Sequence, residues 1–346
     1  MGWFIRFGLL RLRAQWRSLL TLIVGVILAA IIGANASLYT TAISQVGLVQ
    51  FLSIQSSADT NILARFSIAP LDTQGDFAPI WSTFDEQVNS ASNITFADLT
   101  AWSDDVISYA ETQALIPIKN EEDIPNARLR IAYYQGLFEQ IELVEGTLPQ
   151  ASINPNIQAE VLINAEAAVL MDIAVGDPLQ LDQRGWDTSQ TFTVQVVGLI
   201  LPLDATNSYW FDPSPLRVDT GSRIETNLLT TRAILETIPA EFIPQTTVQI
   251  GWRINPNYSQ LPYNQVEQAA NQVDELTIAL NNIFLADEDA TGNYFYTTNI
   301  PELMRTYDEQ IVFLNIPFGL LLLQLAALVL FFLILIAALV RRGERR

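Results

Sequence analysis

The chain has 346 residues and contains neither histidine nor cysteine. Without histidine there is no Ser-His-Asp or Cys-His nucleophile pair and no imidazole ligand for zinc. Without cysteine there is no thiolate chemistry, disulfide framework or iron–sulfur cluster. The missing cysteine leaves the redox compartment open, although an oxidising exterior tolerates such a chain. Positive charge is scarce as well: 18 Lys+Arg stand against 37 Asp+Glu, a net charge of −19. A nucleic-acid partner is therefore not expected, because neutralising phosphates takes a basic face. No G-x-x-x-x-G-K-[ST], G-x-S-x-G or G-x-G-x-x-G motif occurs, and Lys119 is the single lysine of the long middle region. Any ATP hydrolysis must come from another protein. What the chain does have is apolar mass: half of its residues are hydrophobic, and they concentrate at the two ends.

From Ser18 to Ala58 no residue is charged, and the densest apolar part is Leu19 to Ala34. A second uncharged stretch runs from Ile311 to Val340, with Leu320 to Leu339 almost entirely Leu, Ile, Val, Phe and Ala. About 20 such residues in an α-helix cross roughly 30 Å of hydrocarbon. Spans are therefore expected at 18–40 and 316–340. Arg6, Arg11, Arg13 and Arg17 precede the first, and Arg341, Arg342, Arg345 and Arg346 follow the second. The middle holds ten basic against 36 acidic residues, a net of −26. The positive-inside rule puts both tips in the cytoplasm and 41–310 outside. Trp3, Phe4, Phe7, Leu10 and Trp16, interleaved with the leader arginines, suit an amphipathic segment at 1–17 lying on membrane lipid, and 341–346 is a short cytoplasmic tail. The competing reading is a cleaved secretory signal ending at Ala34-Asn35-Ala36. Against it, the uncharged stretch continues through Leu38, Ile43, Val46, Val49 and Leu52.

Between the spans the pattern is α+β without a regular βαβ rhythm. Thr95-Phe96-Ala97-Asp98 fits a capping box, and Leu99, Trp102, Val106 and Tyr109 follow at helical spacing. A longer helix is expected after Pro262, with Val266, Ala270, Val273, Leu276, Leu280 and Phe284 on one face. Strands are expected at Leu129 to Tyr133, Ala159 to Ile163, Leu179 to Leu181, Thr191 to Ile200, Thr246 to Ile250 and Tyr294 to Thr297. Linkers fall at Leu148 to Asn156, Leu201 to Ser214 and Asn255 to Pro262. The expected ectodomain has two lobes: a compact, mostly-β lobe inserted at 137–204, centred on Glu145 to Asp204, and a second lobe holding the helices near Leu99–Tyr109 and Val266–Phe284.

The middle portion has a distinctive order: EGTLP at Glu145 to Pro149, EVLINAEAAVLMDIAVGDPLQL from Glu160 to Leu181, and FTVQVVGLILPLD from Phe192 to Asp204. Asn164 can cap a helix over Ala165 to Met171, and Gly176 can take positive φ in the turn that Pro178 closes. Val194, Val196 and Gly198 share one strand face, where Gly198 permits close backbone approach. This order resembles the extracytoplasmic core domain of FtsX-like, MacB-type ABC transporter permeases. The segments RSLLTLIVGVILAA (Arg17 to Ala30) and LVRRGERR (Leu339 to Arg346) resemble the family's first and second membrane helices.

The resemblance implies a permease subunit, or its N-terminal half, that couples hydrolysis by a separate ABC ATPase to movement outside the membrane. Export, lipoprotein release and cell-wall regulation all fall within the family's range. The first two helices would continue into a stalk, for which Tyr39 to Leu52 and Pro301 to Asn315 are suited. The departure from the family is large, because its subunits carry a cytoplasmic coupling segment and two further spans. The chain by itself is therefore expected neither to hydrolyse ATP nor to transport, and to associate with a second copy or with a missing half. Gly25, Ala29 and Gly33, spaced four apart, would allow close helix approach. The alternative is a two-span receptor whose ectodomain binds a small ligand; neighbouring coding sequence for an ABC ATPase or for a signalling module would separate the two.

No catalytic, cofactor-binding or metal-ligating residues are expected, and an enzyme is not. Asp104 with Asp105, and Glu121 with Glu122 and Asp123, are sequence-adjacent carboxylates of the kind usually just solvated. Asp287-Glu288-Asp289-Ala290-Thr291-Gly292-Asn293 starts like a calcium loop, but Thr291 stands where Asp or Asn is needed, and position twelve is Thr298. A polar turn is the simpler reading. Tyr209-Trp210-Phe211 is either an exposed contact surface or a small core under a long loop.

Overall fold

The computed structural model describes residues 40–68, 77–96, 104–150, 159–182, 192–205, 215–216, 218–241, 246–256, 261–285 and 294–344, with positions 23, 25, 27, 30, 207, 209 and 210. The chain divides into two compact units: 1–53, 262–267 and 304–346 form one, and 54–261 with 268–303 the other.

The larger unit is a mixed α/β domain built on a single 12-stranded sheet. Its strands are β1 (Ile62–Ile68), β2 (Asp104–Thr112), β3 (Ile116–Lys119), β4 (Glu122–Asp123), β5 (Ala127–Tyr134) and β6 (Ile141–Gly146). They continue with β7 (Ala159–Asn164), β8 (Pro178–Asp182), β9 (Phe192–Pro202), β10 (Ile224–Leu229), β11 (Val248–Pro256) and β12 (Tyr294–Thr297). Across the sheet the order is β12-β1-β11-β2-β5-β10-β7-β9-β8-β3-β4, and β6 pairs with β9 beside the β8 segment. Most pairs are antiparallel; β10 with β5 and β7 with β9 are parallel.

The strands expected at 129–133, 159–163, 179–181, 191–200, 246–250 and 294–297 all form, with shifted ends. Two expectations are corrected, besides the capping box at Thr95, which instead lies with Phe96 at the end of the helix Phe77–Phe96. Residues 104–112 are strand, not the second half of a helix from Leu99 to Tyr109. Val106, Ile107, Tyr109 and Thr112 are β-branched or aromatic, and β11 and β5 flank them on either side, so neighbour pairing overrides the helical spacing. The register sets Tyr109 opposite Gly251, where a Cβ would lie 2.2 Å from the Tyr109 ring. Only glycine admits that ring.

The second correction concerns the two lobes. Strand β9 lies in the same sheet as β11, so 137–204 is not an inserted, separately closed lobe. The sheet does have a narrow join: β2 meets β5 only through Tyr109–Glu111 against Ala132–Tyr134, and β10 meets β7 only through Leu228 and Leu229. Hydrophobic residues fill that join, among them Ile107, Tyr109, Tyr134, Leu162, Ile200, Tyr209 and Leu229. A core continuous across the join is what prevents two lobes from closing separately.

The helix at 40–53 is α1; besides a single helical turn at Ser57–Thr60, the others described are α2 (Phe77–Phe96), α3 (Ala165–Leu170), α4 (Arg232–Glu241), α5 (Val266–Leu285) and α6 (Ile300–Glu344). In α2 the buried side chains Phe77, Trp81, Phe84 and Val88 recur at helical spacing, each burial contributing about 1.5–3 kcal/mol. The expected face of α5 is buried as read, from Val266 to Phe284. Phe66 stacks on Phe284 at 5.7 Å between ring centres, and Phe84 lies 6.2 Å from Trp252, so rings from both helices interlock over β1 and β11. Helix α3 is capped as expected: the Asn164 side chain accepts from the Glu166 N–H at 2.8 Å.

Candidate functional site

The sequence-adjacent carboxylates do not assemble. Asp104 and Asp105 sit at the start of β2, opposite Pro256 and Asn255. Glu121, Glu122 and Asp123 are exposed in the turn and edge strand that end the sheet, Glu121 with a positive φ of 68°. The acidic run 287–293 lies outside the described residues, as do Gly33, Ala29 and the leader arginines. Among the described residues no group of three or more His, Cys, Asp or Glu is placed to hold a metal ion. Tyr209 is 8% exposed and packs in the join of the sheet, with Trp210 edge-on at 5.1 Å, while Phe211 lies outside the described residues. Of the two readings of that cluster, the described pair takes the packed one.

The motif residues come together. Gly146 of EGTLP pairs in register with Gly198 of the VVG strand. Gly146 has φ +90°, and a Cβ there would stand 2.0 Å from the Val197 carbonyl oxygen. A Cβ at Gly198 would stand 2.9 Å from both Leu143 and Leu162 side chains. Thr147 then donates its N–H to Val197 at 2.9 Å. The VGD turn is tied just as tightly. Gly176 has φ +95°, and its N–H reaches the Val196 carbonyl at 2.7 Å. Asp177 accepts from the Ala174 N–H at 2.8 Å and pairs with the Lys119 ammonium at 2.8 Å. Those bonds hold the Asp177 carboxyl below its ordinary pKa. The motif is thus a folding device: two glycines let strands touch and one carboxylate locks a turn.

The smaller unit carries a different construction. In it, α1 and the 304–311 part of α6 are joined by a tyrosine pair. Tyr307 is 5% exposed, and its hydroxyl donates to the Ser44 carbonyl at 2.7 Å. A Cβ on Gly47 would lie 2.4 Å from that hydroxyl, so the ring fits only against glycine. Phe51 packs on Tyr307 at 5.4 Å. Tyr263 stands edge-on to Tyr307 at 6.2 Å and donates to Asp308 at 2.8 Å, while its N–H donates to the Gln45 side chain at 2.7 Å. Burial first, then the hydrogen bond to the Asp308 carboxylate, pushes the Tyr263 phenol up to about 12. The sequence suggested helices here but carried no sign of Gly47, Tyr263 or Tyr307 acting together, because their contacts run between distant segments.

Beyond Ile311, α6 continues through the whole uncharged stretch, with Pro317 inside it. Many of its described large apolar side chains are exposed, among them Leu323 at 68%, Phe331 at 61% and Ile334 at 61%. Among the described residues no helix is long and apolar enough to cross a membrane.

No family model matches the chain, and no curated protein sequence does. Among solved structures, the periplasmic region of MacB from Actinobacillus actinomycetemcomitans matches with a TM-score of 0.34 and 13% identity, over 73% of this chain and 94% of that one.

Proposed function

We propose that the chain is the extracytoplasmic and adjoining membrane part of an ABC transporter permease, working with a separate ATPase. The observation that carries this reading is α6. One helix runs from a segment at Met304–Ile311, where Met304, Tyr307 and Ile311 are buried, into an uncharged stretch with many exposed apolar side chains among the described residues. So many exposed apolar side chains on one helix need a non-aqueous neighbour, and arginines beyond Val340 suit lipid headgroups on the cytoplasmic side. The order of the EGTLP, VGD and VVG motifs supplies the permease class. In this reading α1 and α6 form a stalk, and the Tyr307–Ser44 tie couples movement of one of these helices to the other. Pro317 removes one backbone bond of α6 below that tie and is where the helix bends most cheaply.

Topology gives the first test. A reporter that fluoresces only in the cytoplasm should light at either terminus and stay dark when inserted near Asn207; fluorescence at Asn207 overturns the reading. The coupling itself is tested by double electron–electron resonance between labels on α1 and α6, with the cognate ATPase cycling. Nucleotide-dependent change in that distance, lost in Gly47→Val, supports mechanical coupling. An unchanged distance removes it.

A further inference from the structure

A cleft of about 470 Å³ opens beside the narrow join of the sheet, in the larger unit. Val106, Ile107 and Tyr209 line it on the apolar side, and Asn89, Asn93, Gln135, Glu139 and Gln140 supply its polar groups. Asn89 and Asn93 stand one turn apart on α2. The others come from the bend after β5, where Gly136 takes φ +75° and a 3-10 turn spans Leu137–Glu139. The bend is anchored from behind by the Tyr209 hydroxyl, which donates to the Gln135 carbonyl at 3.0 Å.

The carboxamides are already oriented. The Gln135 side-chain oxygen accepts from the Ser108 N–H and hydroxyl, at 3.3 and 3.2 Å. The Gln140 side-chain oxygen accepts from Asn207 at 3.1 Å. Both glutamines therefore keep their NH₂ groups as donors. Asn89 is turned the other way: its NH₂ donates to the Asp85 carbonyl at 2.7 Å, leaving its oxygen as an acceptor. Glu139, between the two glutamines in sequence, adds a carboxylate acceptor. No side chain lining the cleft is cationic, so phosphate and carboxylate ligands have no partner there, and the acidic surface repels them.

Donors on Gln135 and Gln140 beside acceptors on Asn89 and Glu139, at an uncharged-to-acidic site, match vicinal hydroxyls, each of which donates and accepts at once. An extended peptide fits less well, because it would need separate apolar pockets for alternate side chains, and the apolar lining here is the single group Val106, Ile107 and Tyr209. The volume lies at the lower part of the ~300–1,000 Å³ usual for small-ligand sites, enough for one or two sugar rings.

We infer that this cleft binds a neutral saccharide. Gln135 and Gln140 donate to its hydroxyls, and Asn89 and Glu139 accept from them. The site belongs to the larger unit and stands apart from the membrane reading.

The test uses the full chain in detergent, with maltotriose and triacetylchitotriose as probes and a neutral Ala-Ser-Gly tripeptide as comparison, read by saturation-transfer NMR and calorimetry. At least one saccharide should bind in the millimolar range or tighter. Gln140→Glu, which turns a donor into an acceptor at constant size, should weaken it about tenfold with an unchanged melting temperature. Glu139→Gln, on an exposed turn, gives a second variant with an expected loss of the same sign. Absence of binding by both saccharides overturns the proposal. So does binding that neither variant changes, or tripeptide binding tighter than either saccharide.

Discussion

The two halves of the sheet are built by different means. The half formed by β12, β1, β11 and β2 is made of strands far apart in the chain, and interlocked rings of Phe66, Phe84, Trp252 and Phe284 hold it under α2 and α5. The half formed by β7, β9, β8 and β6 comes from residues 141–202, has a core that is aliphatic apart from Phe192, and gains its fit from glycine contacts and one locked turn. Bulk can be supplied by any pair of large side chains brought together late. Close approach must be written into the strand at a particular position. The first half is therefore ordered by long-range packing, and the second by local chemistry.

The largest expected effect is on the ring-packed half. Trp252→Ala removes a fully buried indole and should cost about 3–5 kcal/mol in denaturant unfolding. A loss under 1 kcal/mol would mean the rings do not carry that half. In the glycine-built half, Gly146→Ala combines a left-handed φ with a Cβ driven into Val197, for a cost of about 3 kcal/mol. If it instead unfolds as easily as the parent, the close approach of β6 and β9 is not what fixes their register.

A smaller effect sharpens the boundary of the ring-packed half. Asp85 on α2 accepts from the Trp252 indole N–H at 2.6 Å and pairs with Arg232 of α4, whose guanidinium lies 4.2 Å from the Trp81 ring centre. Asp85→Ala leaves both donors without that acceptor and should cost about 2 kcal/mol. Adding Trp252→Phe should recover part of the loss, since it removes one of the stranded donors.

The smallest effect is pH-dependent and belongs to the locked turn. Because folding depresses the Asp177 pKa, its contribution is present above the ordinary carboxylate range and is lost as pH falls through the folded value. Lys119→Met should cost about 0.5 kcal/mol at neutral pH for so accessible a pair, and should flatten the acid side of the stability curve. An acid limb identical to the parent's would show that Lys119 does not set the Asp177 titration.

The same contrast explains what could be read in advance. Asn164, Gly176 and Gly198 act over a few residues or through their own backbone, so the cap, the turn and the close strand contact were legible from sequence. The strand at 104–112 was not, because its alternative helical spacing was equally good locally and only β11 and β5 decide against it. Helix α2 was missed for a related reason: its polar stretch Asn89 to Asn93 hides the stripe of Phe77, Trp81, Phe84 and Val88. The Gly47–Tyr307 contact and the amide-lined cleft likewise join segments with no shared motif.

By itself, then, the sequence determined the uncharged runs with their flanking arginines, the mixed α and β composition, and the glycine and cap positions of 145–202. These follow from charge, hydrophobic period and backbone freedom, properties each segment carries without its neighbours. Tertiary structure alone decided that β9 and β11 share one sheet, that Tyr109 lies over Gly251, and that the Gln135 and Gln140 side-chain oxygens accept from Ser108 and Asn207. Pairing partners, ring contacts and amide orientations are set by atoms that arrive from elsewhere in the chain, and no local pattern records where those atoms will be.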